Sequence, residues 1–218
     1  MKIPNDMIDG YKHKTNECGV LSVLSYNKWS DVLIEFVDTG YKTSTQADNI
    51  RRGIVKDYMM PVVFGVGFMG DGKYKSRVNK EKTEAYKAWM RMLGRTYSSS
   101  YKEKFPTYKG VTTCDLWHNF QNFAAWFDLN YIEGFHLDKD IKIKGNKVYS
   151  PEACLFVSPK ENQEDSHAKT YTMINPDNEV EEIYNLTEYC RNRSLDRNAM
   201  MLVAGGKRDN YKGWTKAP

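Results

Sequence analysis

The spacing of apolar side chains changes near residue 80, and that change limits the chain to a mixed fold. Up to there, apolar residues fall in short blocks closed by turn residues: "CGVLSVLSYN", "SDVLIEFVDTGYKTST" and "IRRGIVKD". Such blocks predict strands over 16–70. In "DVLIEFVD", Val32, Ile34 and Phe36 alternate while Leu33 and Val37 fall out of phase, so both faces of this strand are expected to be covered. "IRRGIVKD" predicts a strand carrying Arg51, Arg52 and Lys56. "FGVGFMGDGKY" has neither the spacing of a Walker loop nor a Lys-Ser/Thr pair after its last glycine, and reads as turns allowing close packing.

From residue 81 the apolar period becomes helical. "EKTEAYKAWMRMLGRTY" puts Ala85, Trp89 and Met92 on one face, with Gly94 as the expected stop. "SSSYKEKFPTYKG" reads as a basic, aromatic loop. "DLWHNFQNFAAWFDLN" predicts a helix capped by Asp115, with Trp117, Phe120, Ala124 and Phe127 as its apolar stripe.

Residues 133–165 read as strand, loop, strand, helix. "FHLDKDI" alternates, with His136, Asp138 and Asp140 on one side. "CLFV" is a short buried strand, and "SPKENQED" opens a helix with Ser158 as cap and Pro159 at its first position. Residues 168–218 predict a hairpin turning at "NPDN", then a helix capped by Thr187 and a second beginning at Asp196 and stopping at Gly205-Gly206. Two short helices about a tight turn have the shape of a helix-turn-helix. The expected fold class is thus α+β: a β-rich section over 1–80, a central core over 81–166 with a helical lead-in, and a small hairpin plus helix-turn-helix module over 167–218.

Composition adds exclusions. With 40% hydrophobic and 13% aromatic residues the chain can bury a core, so global disorder is not expected. No apolar run is long enough to span a bilayer and none at the N-terminus suits a signal peptide, so a soluble, cytoplasmic protein without a membrane partner is expected. Cys18, Cys114, Cys154 and Cys190 form no C-x-x-C pair, which argues against a zinc knuckle or redox motif. The net charge of +4 permits a nucleic-acid partner without requiring one.

Asp138 and Asp140 on one strand face, with the carboxamide of Asn162 on a following helix, supply oxygen ligands of the kind that hold Mg²⁺, Mn²⁺ or Ca²⁺. Such a cation could steady the charge on a phosphodiester during cleavage. The other reading is a solvated hairpin whose acids face water. The cations carry the same two readings. Arg51, Arg52, Lys142, Lys144, Lys147, Arg191, Arg193, Arg197, Lys207, Arg208 and Lys212 are either contacts to DNA phosphates or a charged surface. For Arg191, Arg193 and Arg197 the short-helix pair favours DNA.

"AYKAWMRMLGRTY", "YKGVTTCDLWHNFQNFAAWF", "LDKDI" and "GNKVYSPEACLFVSPKEN" follow one another in an order that resembles phage-borne endonucleases of the HNH (ββα-metal) superfamily, over roughly residues 85–162. "KTYTMINPDNEVEEIYNLTEYCRNRSL" and the residues after it resemble the nuclease-associated helix-turn-helix modules of phage homing endonucleases. The resemblance implies a ββα-metal core that hydrolyses double-stranded DNA with Mg or Mn, in the cytoplasm of the host cell. It implies Asp138 and Asn162 as metal ligands, with Asp140 as a possible second carboxylate. The HNH pattern has a histidine general base directly after the first aspartate. This chain has Lys139 there, and a protonated lysine is a poor base. His136 is either a substitute base or a surface histidine, and His118 is a more distant candidate. The departure leaves two outcomes open: an active endonuclease, or a catalytically inactive DNA-binding protein, a regulator or counter-defence factor, on the same scaffold.

Overall fold

A computed structural model describes residues 2–218, apart from the side chains of Asp165 and Ser166. The chain is α+β and divides into two compact units. The first runs to Tyr131 and takes in Gly145–Cys154; the second consists of Ile132–Lys144 and Leu155–Pro218. The division falls inside the 81–166 section, because a segment of the loop after Lys144 packs with the N-terminal part of the chain.

The first unit begins with an antiparallel sheet of β1 (Lys12–Lys14), β2 (Val20–Lys28), β3 (Asp31–Phe36) and β4 (Lys42–Thr45), in that spatial order. Along β3, Val32, Ile34 and Phe36 are fully buried. Leu33 is half-buried and Val37, just past the strand, is 50% exposed. The strand is therefore covered on one face, not two. Its apolar excess sits on the half-exposed side opposite Ser44 and Ser25. Leu21 and Val23 of β2 extend the buried face, and Met7, Tyr41, Ala47, Ile50 and Val55 share its core.

Ile50 belongs to a short helix, α1 (Ala47–Arg51), and not to a strand. The expected strand over "IRRGIVKD" fails because burying Ala47 and Ile50 together needs a helical step, and Gly53 (φ +65°) then turns the chain. β5 (Arg77–Val78) and β6 (Glu81–Lys82) form a small ribbon ahead of α2 (Glu84–Tyr97), whose cap Thr83 accepts the N–H of Tyr86. The helix passes through Gly94 for another turn, since Leu93 and Thr96 are both buried in one core. The expected loop over "SSSYKEKFPTYKG" instead holds α3 (Ser99–Lys104), capped by Ser98, and a 3-10 turn Pro106–Tyr108.

β7 (Thr112–Thr113) leads to a 3-10 turn Asp115–His118 and to α4 (Phe120–Asn130). Asn119, not Asp115, caps α4, accepting from the Gln121 N–H at 2.9 Å. Helices α2 and α4 pack through Trp89, Met92, Leu93, Phe120, Phe123 and Ala124. The buried Trp89 donates its indole N–H to the Trp117 carbonyl at 2.7 Å, whereas the indole N–H of the equally buried Trp117 finds no acceptor among the described residues. The glycine-rich stretch lies against this core: a Cβ on Gly67 would stand 2.5 Å from Leu93 Cδ1 and 3.0 Å from the Trp89 ring.

In the second unit β8 (His136–Asp138) pairs antiparallel with β10 (Leu155–Val157), followed by α5 (Pro159–Ser166). The strand between them in sequence, β9 (Val148–Tyr149), belongs to the first unit and runs parallel to β7. The hairpin β11 (Thr170–Ile174) and β12 (Val180–Tyr184) turns at Pro176–Asn178, where the Asn175 carboxamide oxygen accepts the N–H groups of Asp177 and Glu179. Next come α6 (Leu186–Asn192), α7 (Arg197–Ala204) and β13 (Thr215–Lys216), which adds to β11 as a third strand. The cap of α6 is Asn185, not Thr187; its backbone is left-handed (φ 53°), a conformation asparagine tolerates. Asp196 caps α7, accepting from Ala199 N–H at 2.7 Å. Met173, Ile183, Leu186, Cys190, Met200, Val203 and Trp214 close a core of their own. Among the described residues no helix is long and apolar enough to cross a membrane.

Candidate metal and nucleic-acid site

β8, β10 and α5 reproduce strand, strand, helix, with α5 lying against β8. Register places Asp138 opposite Leu155, Leu137 opposite Phe156 and His136 opposite Val157. Phe156 and Val157 are buried, which anchors β10 and so fixes β8. Asp138 is the last residue of β8 and ends it. Its Oδ1 accepts the N–H groups of Asp140 at 2.9 Å and Ile141 at 2.7 Å, an Asx turn that bends the chain away. Strand alternation therefore stops at Asp138: His136 and Asp138 share a face of β8, while Asp140 reaches the Asp138 carboxylate from the turn.

Burial holds the Asp138 pKa above the ordinary aspartate value. The two N–H bonds pull it down, and the neighbouring carboxylate of Asp140 pushes it up. Lys139 is buried and donates to Asp140 Oδ2 at 2.9 Å, so the ammonium lies within the acidic turn. Among the described residues no three carboxylate, imidazole or thiolate groups converge as a metal cluster. The acidic turn offers two carboxylates. They suit a hard divalent cation that keeps waters or phosphate oxygens as its other ligands, and do not suit zinc.

Asn162 lies in the first turn of α5 and is half-buried. Its N–H makes the first intrahelical bond, to Ser158 O at 3.0 Å. The helix start is a capping box: Ser158 Oγ accepts the Glu161 N–H at 3.2 Å, and the Ser158 N–H donates to Glu161 Oε2 at 3.0 Å. Ser158 also holds the Glu161 carboxyl below the usual glutamate range. His136 is exposed. His118 belongs to the first unit, where its Nε2 lies 2.7 Å from the Tyr97 hydroxyl.

Arg51, on α1, makes a two-bond pair with Asp6 at 2.7 and 3.0 Å, and Arg52 lies 3.9 Å from Asp48. Lys142, Lys144 and Lys147 are exposed, with the Lys144 ammonium 4.2 Å from the centre of the Tyr184 ring. Arg191 is paired with Glu164 of α5 at 3.1 Å. Arg193 stacks on Tyr189 at 3.9 Å and stands 3.8 Å from Glu181. Arg197 donates Nε to Thr187 Oγ1 at 2.9 Å. Arg208 and Lys212 both lie over the Tyr211 ring, at 5.2 and 5.6 Å, and Lys207 is exposed beside them. The acidic partners Asp6, Glu164 and Glu181 are distant in sequence from the arginines they meet, and nothing local in the chain signals them.

No family model matches the chain, and no curated protein matches it. Among solved structures, it is similar to one described as DNA binding and cleavage by the HNH homing endonuclease I-HmuI. The identity is 23% and the TM-score 0.22, covering 39% of this chain and 59% of the other.

Proposed function

We propose that this protein binds double-stranded DNA and acts as a divalent-metal-dependent endonuclease of the HNH type. The observation that carries the reading is the β8, β10, α5 order, with a half-buried aspartate ending the first strand and an asparagine in the first turn of the helix. In this reading Asp138 and Asn162 hold Mg²⁺ or Mn²⁺, and Asp140 supports Asp138 from the turn. The cation supplies a Lewis acid for the phosphodiester. The helix pair α6–α7 and its arginines serve as the DNA-binding module, with domain limits as read from the sequence.

Incubation with supercoiled plasmid and Mg²⁺ or Mn²⁺ tests it: nicked or linear product is expected, and Asp138→Ala should abolish cutting while leaving DNA binding intact. A second reading is favoured by Lys139. Its ammonium stands at the position of the HNH base and is held by Asp140, and a positioned general base is worth ~10²–10⁴-fold in rate. If DNA binds and no metal yields product, the protein is a non-cutting DNA-binding protein on the same scaffold.

A further inference from the structure

We propose that a basic cavity in the second unit, lined by Lys160, His167, Lys169 and Arg197, grips a backbone phosphate of nucleic acid. The inference deepens the DNA-binding reading above and rests on it. The cavity has a volume of about 340 Å³, and Tyr171 and Thr187 also line it. Its three cations, Lys160, Lys169 and Arg197, come from three places in the chain: the first turn of α5, the segment entering β11, and the start of α7. They and His167 are exposed at its rim. Among the described side chains Lys160, His167 and Lys169 enter no ion pair. The acidic side chain in the wall, Glu164, is taken up by Arg191 at 3.1 Å. Among the described side chains, the cavity thus presents positive charge whose acidic wall residue is already engaged by Arg191.

Arg197 adds a second argument. It is the first residue of α7, where the aligned peptide dipoles disfavour a cation. Thr187 accepts its Nε at 2.9 Å and fixes the guanidinium, leaving the two terminal amino groups for a ligand. An anion between Arg197, Lys169 and Lys160 would offset the unfavourable placement of the arginine and the mutual repulsion of the three cations. The occupant is a phosphate on a polymer rather than a free one, because the cations stand on the open rim, where a passing backbone can reach them. Such a contact positions the duplex and reads no base.

The test measures duplex-DNA affinity of the full chain against salt concentration. It compares wild type, Lys160→Gln/Lys169→Gln, and an equal-charge control, Lys14→Gln/Lys28→Gln, on the exposed side of the first unit's sheet. Each variant is first confirmed folded by circular dichroism. A parallel arm follows the His167 ring protons by NMR while inorganic phosphate is added. The proposal expects the pocket variant alone to lose about one to two units of the log–log salt slope, and roughly tenfold or more in affinity at low salt. An unchanged slope with wild-type binding intact overturns the pocket and leaves the DNA reading standing. Phosphate saturating the His167 signals with no change in the DNA slope identifies a small-phosphate site and overturns the backbone assignment. A wild type that binds no DNA overturns both readings together.

Discussion

Ser158→Ala should loosen the helix that carries Asn162 without unfolding the rest of the second unit. Ser158 makes two contacts through its hydroxyl, accepting the Glu161 N–H at 3.2 Å and donating to Glu161 Oε2 at 2.8 Å. Alanine removes both and leaves one N–H of the first turn unsatisfied. Losing such a cap costs about 1 kcal/mol. α5 spans eight residues, too few to persist unaided, so the cost falls on a marginal element. About 1 kcal/mol corresponds to roughly fivefold more frequent opening. The readout is hydrogen exchange at the Asn162 amide, whose acceptor is the Ser158 carbonyl at 3.0 Å. Its exchange should accelerate by about that factor, while amides of α7 are unchanged and Ser158→Thr restores most of the protection. Unchanged exchange at Asn162, or equal acceleration across the α6–α7 core, would refute the local-cap argument.

Gly67→Ala should destabilise by about 1–3 kcal/mol, read as a lowered urea midpoint, because its Cβ meets buried Leu93 and the Trp89 ring. Met200→Ala, at a fully buried position on α7 in the core shared with α6, should cost about 2–5 kcal/mol, measured by thermal unfolding. The Asp6 pKa is held below its ordinary 3.8 chiefly by the Arg51 hydrogen bond. A depressed carboxylate contributes stability above its unfolded pKa and loses it as pH falls through the folded value. The pair is partly exposed, so the term is under about 1 kcal/mol; Arg51→Gln should flatten the stability curve only below about pH 4.

Much of the local structure was legible because its signals are local. Val32, Ile34 and Phe36 announce the buried face of β3, Ser158-Pro159 the start of α5, Asp196 the start of α7, and the Asn175–Asn178 run a hairpin. Misreadings arose where one residue's neighbours in space outweigh those in sequence. Ile50 looks like a strand residue until Met7 and Phe36 are seen to share its core. Gly94 looks like a stop until buried Thr96 shows why the helix continues. Ser98 did signal α3, and the aromatic and basic residues after it masked the signal. At the candidate site, Asp138, Asp140 and Asn162 could be picked out by type and spacing. The Asx turn that ends β8 could not, because it depends on which backbone amides the carboxylate meets. Nor could the basic cavity, whose cations come from three separate elements.

The parallel pairing of β7 with β9 means that this protein cannot be dissected by a single cut. A fragment ending at residue 131 strands Thr112–Thr113 without its companion, and one starting at 132 carries Gly145–Cys154 as a loose insert stripped of its host. The strand–strand–helix portion is therefore not a self-contained cassette, since the stretch between its two strands pairs with a strand that comes earlier in the chain.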